Sequence, residues 1–342
     1  MSRSRLAFGA LAVAYLMGIL TVTGVWAAHL SVPAPGQIPP ATLSPNLTFG
    51  VDDGDEKLMF GMIVRVDVDG RGNIYILDYK FSRVGVFDSK GHLLRQIAVA
   101  EGQGPRETTG MPGIAVTPGG TLFINDTRKV IVYDPDGRYV RTFPVGFNII
   151  SIGCPGREDL VVLGPHEGKI LHEFDARGEL VASYGDMFRS PQKLEPMREA
   201  PLFGAPLRFS CAKDGRVFVL NPHKYEVSVF KDRKLEGLIE GRNDAFKPVQ
   251  RTSFGFASTV AEIVPSGDLV FVALLTMDPK AKMTADVFQS SRQIGTIDLP
   301  GEPMAADLHG MIYVAEQEGG PFGRPAREGD FPKVVRYAVI KN

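Results

Sequence analysis

The chain has 342 residues, of which 44% are hydrophobic, with 38 glycines, 25 prolines and a net charge of −1. This composition is typical of a folded domain and excludes a disordered chain. The nearly balanced charge argues against nucleic acid as a partner, because nucleic-acid binding requires a basic face.

The first predicted element is an N-terminal export signal. Arg3 and Arg5 precede an uncharged, mostly apolar run over residues 6–28, and Val25-Trp26-Ala27 offers small residues before a cleavage site. The run contains 23 residues, which is enough to span a bilayer. We therefore predict a signal peptide or an inner-membrane anchor over residues 1–28. The rest is expected to be periplasmic or extracellular, in contact with the membrane only through this segment if it is not cleaved.

Residues 29–43 form a predicted extended spacer, since five prolines lie between Pro33 and Pro45. From residue 44 to residue 342 no further linker interrupts the chain. One domain is therefore predicted over this range.

The segment Val64–Arg95 is the best preserved of several similar units. Val64, Val66 and Val68 alternate with polar residues, as in a half-buried strand, and Asp69-Gly70-Arg71-Gly72-Asn73 supplies a tight turn. Three further strands are predicted at residues 74–77, 84–87 and 92–98. Each unit is thus a four-stranded antiparallel meander.

The same pattern, a turn followed by an apolar run, recurs five more times. Its first copy is Gly72-Asn73-Ile74-Tyr75, and the later copies begin at Gly120, Glu158, Gly215, Gly267 and Gly310. The intervals of 38 to 57 residues are typical of propeller blades. One such unit cannot bury both of its faces, so six of them are predicted to stack in a ring and share a core.

The last copy has room for only three strands, the third at Val335–Ile340. Leu47–Val51 precedes the first full unit and is predicted to supply the missing strand. The predicted fold class is therefore all-β: a six-bladed β-propeller of four-stranded antiparallel blades over residues 44–342. An N-terminal strand is expected to complete its last blade.

Two segments carry a resemblance to known propellers. The stretch VDVDGRGNIYILDYKFSRVGVFDSKGHLLRQI resembles an NHL-type repeat, and Gly102-Gln103-Gly104-Pro105-Arg106-Glu107 resembles the interblade loop of bacterial six-bladed propellers. The resemblance is close in the first two blades, whereas blades five and six depart from it through long inserts. It implies the fold and not a particular activity, because propellers host many functions.

A meander blade has two unlike ends, which we name here. Connections between its second and third strands, and those to the next blade, emerge on the loop face; the tight turns emerge on the turn face. The long segments all fall on the loop face, where binding usually resides. Arginines and aromatics there suit a ligand with carboxylate and apolar parts. The predicted ligand-binding residues are Tyr79 and, around the mouth of the channel, Arg106, Arg189, Arg242, Arg251 and Phe254.

His166 and His223 end the matching segments Leu163-Gly164-Pro165-His166 and Leu220-Asn221-Pro222-His223 of adjacent blades. Two imidazoles on the loop face could begin a zinc site, as in the NHL-like peptidylglycine amidating lyases. Catalytic zinc normally takes three protein ligands, and no third histidine occupies the same place in another blade. The alternative is that both are solvated loop histidines.

Calcium is the other candidate ion, because Asp67 to Asn73 has the acidic spacing of a calcium loop. Arg71 stands where a ligand is needed and the final glutamate is absent, so a hairpin turn is the favoured interpretation. No G-x-S-x-G, H-E-x-x-H or C-x-x-C spacing occurs. Catalytic residues could still come from separate blades, and Glu262 and Asp307 are candidates to line the channel, with placement in a tight turn or on the surface as the alternative.

Cys154 and Cys211 are the only cysteines, and each lies four residues before the anchor of its blade. In an oxidising compartment this equivalence favours a disulfide. Neighbouring inner strands can, however, hold the two Cα atoms beyond the roughly 7 Å limit for bridging. Two buried free thiols are the alternative.

Two functions remain open. The first is a noncatalytic, cofactor-free binding or scaffold module that holds a protein or small-molecule ligand on its loop face, as a monomer. The second is a propeller hydrolase or lyase with its site at the channel mouth, in one form dependent on zinc or calcium. The five long loops, at 101–111, 185–205, 241–256, 274–286 and 315–333, contain twelve basic and twelve acidic residues. Nucleic acid is therefore not expected.

Overall fold

The computed structural model describes residues 39–188, 207–252, 255–257, 259–276, 282–317 and 331–342. Within these ranges the regular elements are all β-strands, and six four-stranded antiparallel sheets contain most of them. The predicted all-β fold class is confirmed.

The sheets are the blades of the predicted propeller, numbered here along the chain. Blade 1 consists of β2 (Ile63–Val68), β3 (Ile74–Asp78), β4 (Arg83–Phe87) and β5 (Leu93–Ala98). Blade 2 consists of β8 (Ile114–Val116), β9 (Leu122–Asn125), β10 (Lys129–Tyr133) and β11 (Tyr139–Pro144). Blade 3 consists of β12 (Ser151–Gly153), β13 (Leu160–His166), β14 (Lys169–Phe174) and β15 (Leu180–Asp186).

Blade 4 consists of β16 (Phe209–Cys211), β17 (Val217–Leu220), β18 (Glu226–Lys231) and β19 (Lys234–Glu240). Blade 5 consists of β22 (Val260–Ser266), β23 (Leu269–Thr276), β24 (Lys282–Gln289) and β25 (Arg292–Leu299). Blade 6 consists of β26 (Glu302–Ala306), β27 (Ile312–Glu316), β28 (Lys333–Lys341) and β1 (Ala41–Phe49). Two short pairs lie between blades: β6 (Ala100–Glu101) with β7 (Glu107–Thr108), and β20 (Gln250–Thr252) with β21 (Gly255–Ala257).

The first strand of every blade belongs to an inner ring. β2 contacts β8, and the contacts continue through β12, β16, β22 and β26 back to β2. The six blades therefore form a closed ring around a central channel. Each inner strand runs from the loop face to the turn face, because an interblade connection leads into it and a tight turn follows it.

Blade 6 is completed by the N-terminal strand, as predicted. β1 pairs antiparallel with β28 from Ala41 opposite Lys341 to Phe49 opposite Val334. The strand is longer than the predicted Leu47–Val51 and begins within the segment assigned to the spacer. The two ends of the described chain thus hold each other in one sheet.

Each interface between adjacent blades has its own hydrophobic cluster, because the blades are apolar on both faces. The cluster between blades 6 and 1 includes Phe49, Phe87 and Tyr313. The Phe49 and Phe87 rings meet edge to face with their centroids 5.6 Å apart. Burying one such side chain contributes about 1.5–3 kcal/mol, so packing as well as backbone pairing retains β1.

The turn face consists of tight turns that often begin with an aspartate. Asp69 Oδ1 accepts hydrogen bonds from the backbone N–H groups of Arg71 and Asn73, at 2.9 and 2.8 Å. Gly72 has a φ of +80°, in the left-handed region that favours glycine. Asp307 accepts two backbone N–H groups in the same way. Both carboxylates are therefore turn residues, and Asp307 does not line the channel.

None of the described residues forms a helix that is long and apolar enough to cross a membrane. The predicted signal or anchor, residues 1–28, and residues 29–38 of the predicted spacer lie outside the described part of the chain.

Candidate site in the central channel

The charged residues of the inner strands face one another across the channel. In β2, Arg65 and Asp67 alternate with Val64, Val66 and Val68, so polar and apolar side chains project to opposite faces of the strand. Arg65 lies nearer the loop face and Asp67 nearer the turn face. The charged contacts in the channel therefore form two layers, one around Arg65 and one around Asp67.

The loop-side layer is centred on Arg65. Its Nη1 donates to Glu262 Oε2 at 2.5 Å, and its Nη2 donates to Ser151 Oγ at 3.3 Å. Arg65, Ser151 and Glu262 belong to blades 1, 3 and 5. The side chains of Arg65 and Glu262 are 24% and 8% exposed, and the Glu262 carboxylate raises the pKa of Arg65 above its usual value. One guanidinium therefore joins three alternate blades.

Glu302 of blade 6 is the second carboxyl group of this layer. Its Oε2 is buried and, among the described residues, accepts no hydrogen bond. Burial, followed by the charge of Glu262, raises the pKa of Glu302 to about 7, although Arg208 and Arg65 oppose the shift. Arg208 Nε donates to the carbonyl of Val260 at 3.2 Å. Two carboxyl groups thus lie near each other at the loop end of the channel, and the pKa of Glu302 is raised.

The turn-side layer is an ion pair between opposite blades. Lys213 Nζ of blade 4 lies 2.8 Å from Asp67 Oδ1 of blade 1, and the two side chains are 14% and 17% exposed. Asp67 Oδ2 also accepts the backbone N–H of Val116 at 2.7 Å, which joins blade 1 to blade 2. Burial lowers the pKa of Lys213, but the Asp67 carboxylate outweighs it, so the net shift is upward.

Between these contacts the channel retains a cavity of about 50 Å³, lined by all six inner strands or the residues that follow them. The cavity is large enough to admit water. Ligand pockets usually measure about 300–1,000 Å³. The cavity at this level of the channel is therefore smaller than an ordinary ligand pocket.

Cys154 and Cys211 both line this cavity, and both are free thiols. Cys154 packs into the cluster between blades 2 and 3, whereas Cys211 packs against the cluster between blades 3 and 4. The two thiols thus pack in different hydrophobic clusters and form no bridge. Burial raises the pKa of each thiol above its usual value.

Tyr79 lies on the loop face, as predicted. It is half-buried in the connection between β3 and β4, where its backbone N–H donates to the carbonyl of Met62 at 2.9 Å. Phe81 follows in the same connection and is 43% exposed. The Arg83 guanidinium lies 5.1 Å from the centroid of the Phe81 ring. The sequence analysis therefore named Tyr79 but missed Phe81, the exposed aromatic residue in the same connection.

Arg106 lies on the side of the ring and not at the channel mouth. Its guanidinium is 5.1 Å from the ring centroid of Tyr139, a residue of the outermost strand of blade 2. The carbonyl of the preceding Pro105 accepts a hydrogen bond from Thr142 Oγ1 in the same strand. The interblade loop thus packs along the outer part of blade 2 and takes Arg106 with it.

Arg242 is exposed in the connection between blades 4 and 5. Its backbone N–H donates to Gln293 Oε1 at 2.9 Å, and the following Asn243 donates to both oxygens of Asp286 at 2.9 and 3.0 Å. The buried Asp286 also accepts the Tyr225 hydroxyl at 2.6 Å. A buried carboxylate therefore fixes the backbone beside Arg242. Of the remaining predicted residues, Arg251 lies in β20, and Arg189 and Phe254 lie outside the described residues.

The two predicted zinc histidines have different surroundings. His166 stacks on Phe147, with centroids 4.9 Å apart, and meets His172 edge to face at 5.6 Å. His223 has a buried Nε2 without a hydrogen-bond partner among the described residues, and burial lowers its pKa, which favours the neutral ring. The described residues contain no group of three His, Cys, Asp or Glu side chains that could hold a metal ion. A complete zinc or calcium site is therefore not found within them.

Comparisons with known proteins agree with the architecture. The family model DUF5128, described as a 6-bladed beta-propeller, matches residues 54–160. A DUF4221-family protein of Bacteroides vulgatus has a similar structure, with a TM-score of 0.59 and 12% identity over 89% of this chain and 99% of that one. No curated protein sequence matches the chain. The chain is a six-bladed β-propeller, and the comparisons do not confirm the resemblance to NHL repeats.

Two further structures share the fold at similarly low identity. A Bacteroides fragilis protein designated a candidate exported protein gives a TM-score of 0.56 and 11% identity over 89% of this chain and 96% of that one. The PQQ-bound aldose sugar dehydrogenase of Streptomyces coelicolor gives 0.52 and 13% identity over 88% of this chain and 100% of that one. Their different designations show that this fold alone does not determine a function.

Proposed function

We propose that this protein is a noncatalytic binding or scaffold module that acts outside the cytoplasm, as a monomer, through its loop face. The observation that carries the proposal is the constricted channel: the ion pairs Arg65–Glu262 and Asp67–Lys213 span it, and the cavity beside them measures about 50 Å³. A cavity of this size supports binding of a protein or an ordinary small molecule on an outer surface. The long connections concentrate on the loop face, which makes it the best candidate.

The described part of the loop face supplies suitable chemistry. Phe81 and Met111 are 43% and 39% exposed, and Arg83 lies against the Phe81 ring. The Arg83 guanidinium is itself held by the carbonyls of Glu56 and Met59, so it positions the Phe81 ring. The exposed Phe81 and Met111 side chains suit the apolar part of the ligand that the sequence predicted.

Location outside the cytoplasm rests on the N-terminal sequence. Arg3 and Arg5 followed by the apolar run over residues 6–28 have the form of an export signal or an anchor. The fold is also shared with the Bacteroides fragilis protein designated a candidate exported protein.

Phe81→Ser is expected to weaken capture of the physiological partner about tenfold, because an exposed aromatic anchor typically contributes at least 1.4 kcal/mol to binding. The full-length protein would be immobilised and used to titrate the partner recovered from an envelope extract. Leu308→Ser is the matched control, since Leu308 is a 59% exposed apolar residue in a turn-face connection. Equal affinity of the wild type and Phe81→Ser, or equal losses in both variants, would contradict binding through the loop face.

The second candidate function is a hydrolase or lyase that works at the loop end of the channel. The observation in its favour is the pair Glu262 and Glu302, in which one carboxylate holds Arg65 while the pKa of the other is raised to about 7. Such a pair can divide the roles of base and acid. A substrate would have to reach these groups from the loop face.

The metal-dependent form of the enzyme predicts bound zinc or calcium in the purified protein. Elemental analysis after gel filtration should then find about one ion per chain, and His223→Ala should reduce a zinc content. Metal-free protein whose melting temperature does not change with added zinc or calcium would reject this form and leave the binding function.

A further inference from the structure

Arg65 holds together three blades that are not neighbours in the ring. Blades 1, 3 and 5 contribute Arg65, Ser151 and Glu262, joined at 3.3 and 2.5 Å. Glu262 uses its other oxygen, Oε1, to accept the backbone N–H of Ile263 at 3.0 Å. Both of its oxygens are therefore engaged, and Arg65 depends on this carboxylate for its charged partner in the described structure.

Glu302 approaches the same group from blade 6, which lies between blades 5 and 1. The charged groups that act on it are Glu262 of β22, Arg208 immediately before β16 and Arg65 of β2. Its buried Oε2 accepts no hydrogen bond from the described residues, whereas both oxygens of Glu262 do. A neutral carboxyl fits this surrounding, and an ionised one would lie close to a second carboxylate.

We propose that Glu302 is the proton-binding site of a latch that joins blades 1, 3 and 5 at the loop end of the channel. With a proton on Glu302, Glu262 alone carries negative charge and holds Arg65. When Glu302 loses the proton, the two carboxylates repel each other, and the ionised Glu302 attracts Arg65 as well as Arg208. The contact between Arg65 and Glu262 then weakens, and the loop end of the channel opens to water.

The proton exchange falls in a physiological range. Burial and the neighbouring Glu262 raise the pKa of Glu302 to about 7, against an ordinary value of 4.5. A change from pH 6 to pH 8 therefore converts most of the population from one form to the other. The latch is independent of the identity of any ligand and adds a regulatory element to the ring itself.

Carbon-13 NMR of the full-length protein, labelled at the glutamate carboxyl carbons, tests the proton site. One resonance is expected to titrate near pH 7 and to be absent from Glu302→Gln. Glu236→Gln, at an exposed position of β19, is the control and should retain that resonance. A spectrum in which every glutamate titrates below pH 5.5 would overturn the proposal.

Amide hydrogen exchange tests the latch separately. After correction for intrinsic rates, protection of β2 and β22 in the wild type should fall at least fivefold from pH 6 to pH 8, and Glu302→Gln should retain its protection. The wild-type profile is informative by itself if the variant does not fold. Unchanged wild-type protection over this range, with or without a titrating glutamate, would overturn the latch.

Discussion

Glu262→Ala is expected to lower the free energy of unfolding by about 3 kcal/mol at pH 7. Removing one member of a buried ion pair typically costs about 3–5 kcal/mol, because the other charge remains without its partner. Arg65 is 24% exposed, so contact with channel water places the loss at the lower end. Urea denaturation followed by far-ultraviolet circular dichroism measures this loss.

The matched control is an exposed ion pair of similar length. Lys282 and Asp298 lie 2.9 Å apart, with side chains 58% and 75% exposed. Asp298→Ala should therefore cost less than about 1 kcal/mol. If it costs as much as Glu262→Ala, the channel pair has no special structural role.

The loss of stability in Glu262→Ala also depends on Glu302. In Glu262→Ala the carboxyl group of Glu302 becomes available to Arg65. This new contact reduces the loss of stability. The double variant Glu262→Ala/Glu302→Gln removes both carboxylates, so its loss should exceed the sum of the two single effects. An additive result would show that Glu302 does not replace Glu262.

The repeat and its turn chemistry were visible in the sequence because both are local. Asp69 to Asn73 contains the aspartate and the glycine that a tight turn requires, and both have the predicted roles. The start of β1 was less visible, since Pro45 gives the segment the character of a spacer. Proline is tolerated there because β1 is the outermost strand of its blade, and the register shifts between Pro45 and Leu47.

The candidate site could be predicted only in part. Arg65 and Asp67 alternate with valines, a pattern that marks one face of β2 as polar, and Glu262 was named as a channel candidate. Arg65 and Glu262 are 197 residues apart in sequence, so their pairing depends on ring closure and not on a local motif. Arg106 was placed at the channel mouth because its loop belongs to the loop face. Packing on Tyr139, which the sequence does not reveal, directs it to the side of blade 2.

Glu302→Gln is expected to stabilise the protein by about 3 kcal/mol at pH 8 and to have almost no effect at pH 4. The pKa of Glu302 is about 7 in the folded protein, against an ordinary value of 4.5. Between these values the folded state retains a proton that the unfolded state has lost, so the wild type loses stability as the pH rises. The interval of about 2.5 units corresponds to about 3 kcal/mol. Glutamine is neutral in both states, and the variant avoids this loss.

Denaturation of both proteins at pH 4, 5, 6, 7 and 8 measures the difference, in which the titration of other groups largely cancels. The advantage of the variant should grow between pH 4.5 and pH 7 and then level off. Glu236→Gln, at an exposed position of β19, should follow the wild-type profile throughout. If the difference in stability between the wild type and Glu302→Gln is the same at every pH, the proton of Glu302 is not coupled to folding. If Glu302→Gln instead becomes less stable than the wild type as the pH rises, the ionised carboxylate stabilises the ring.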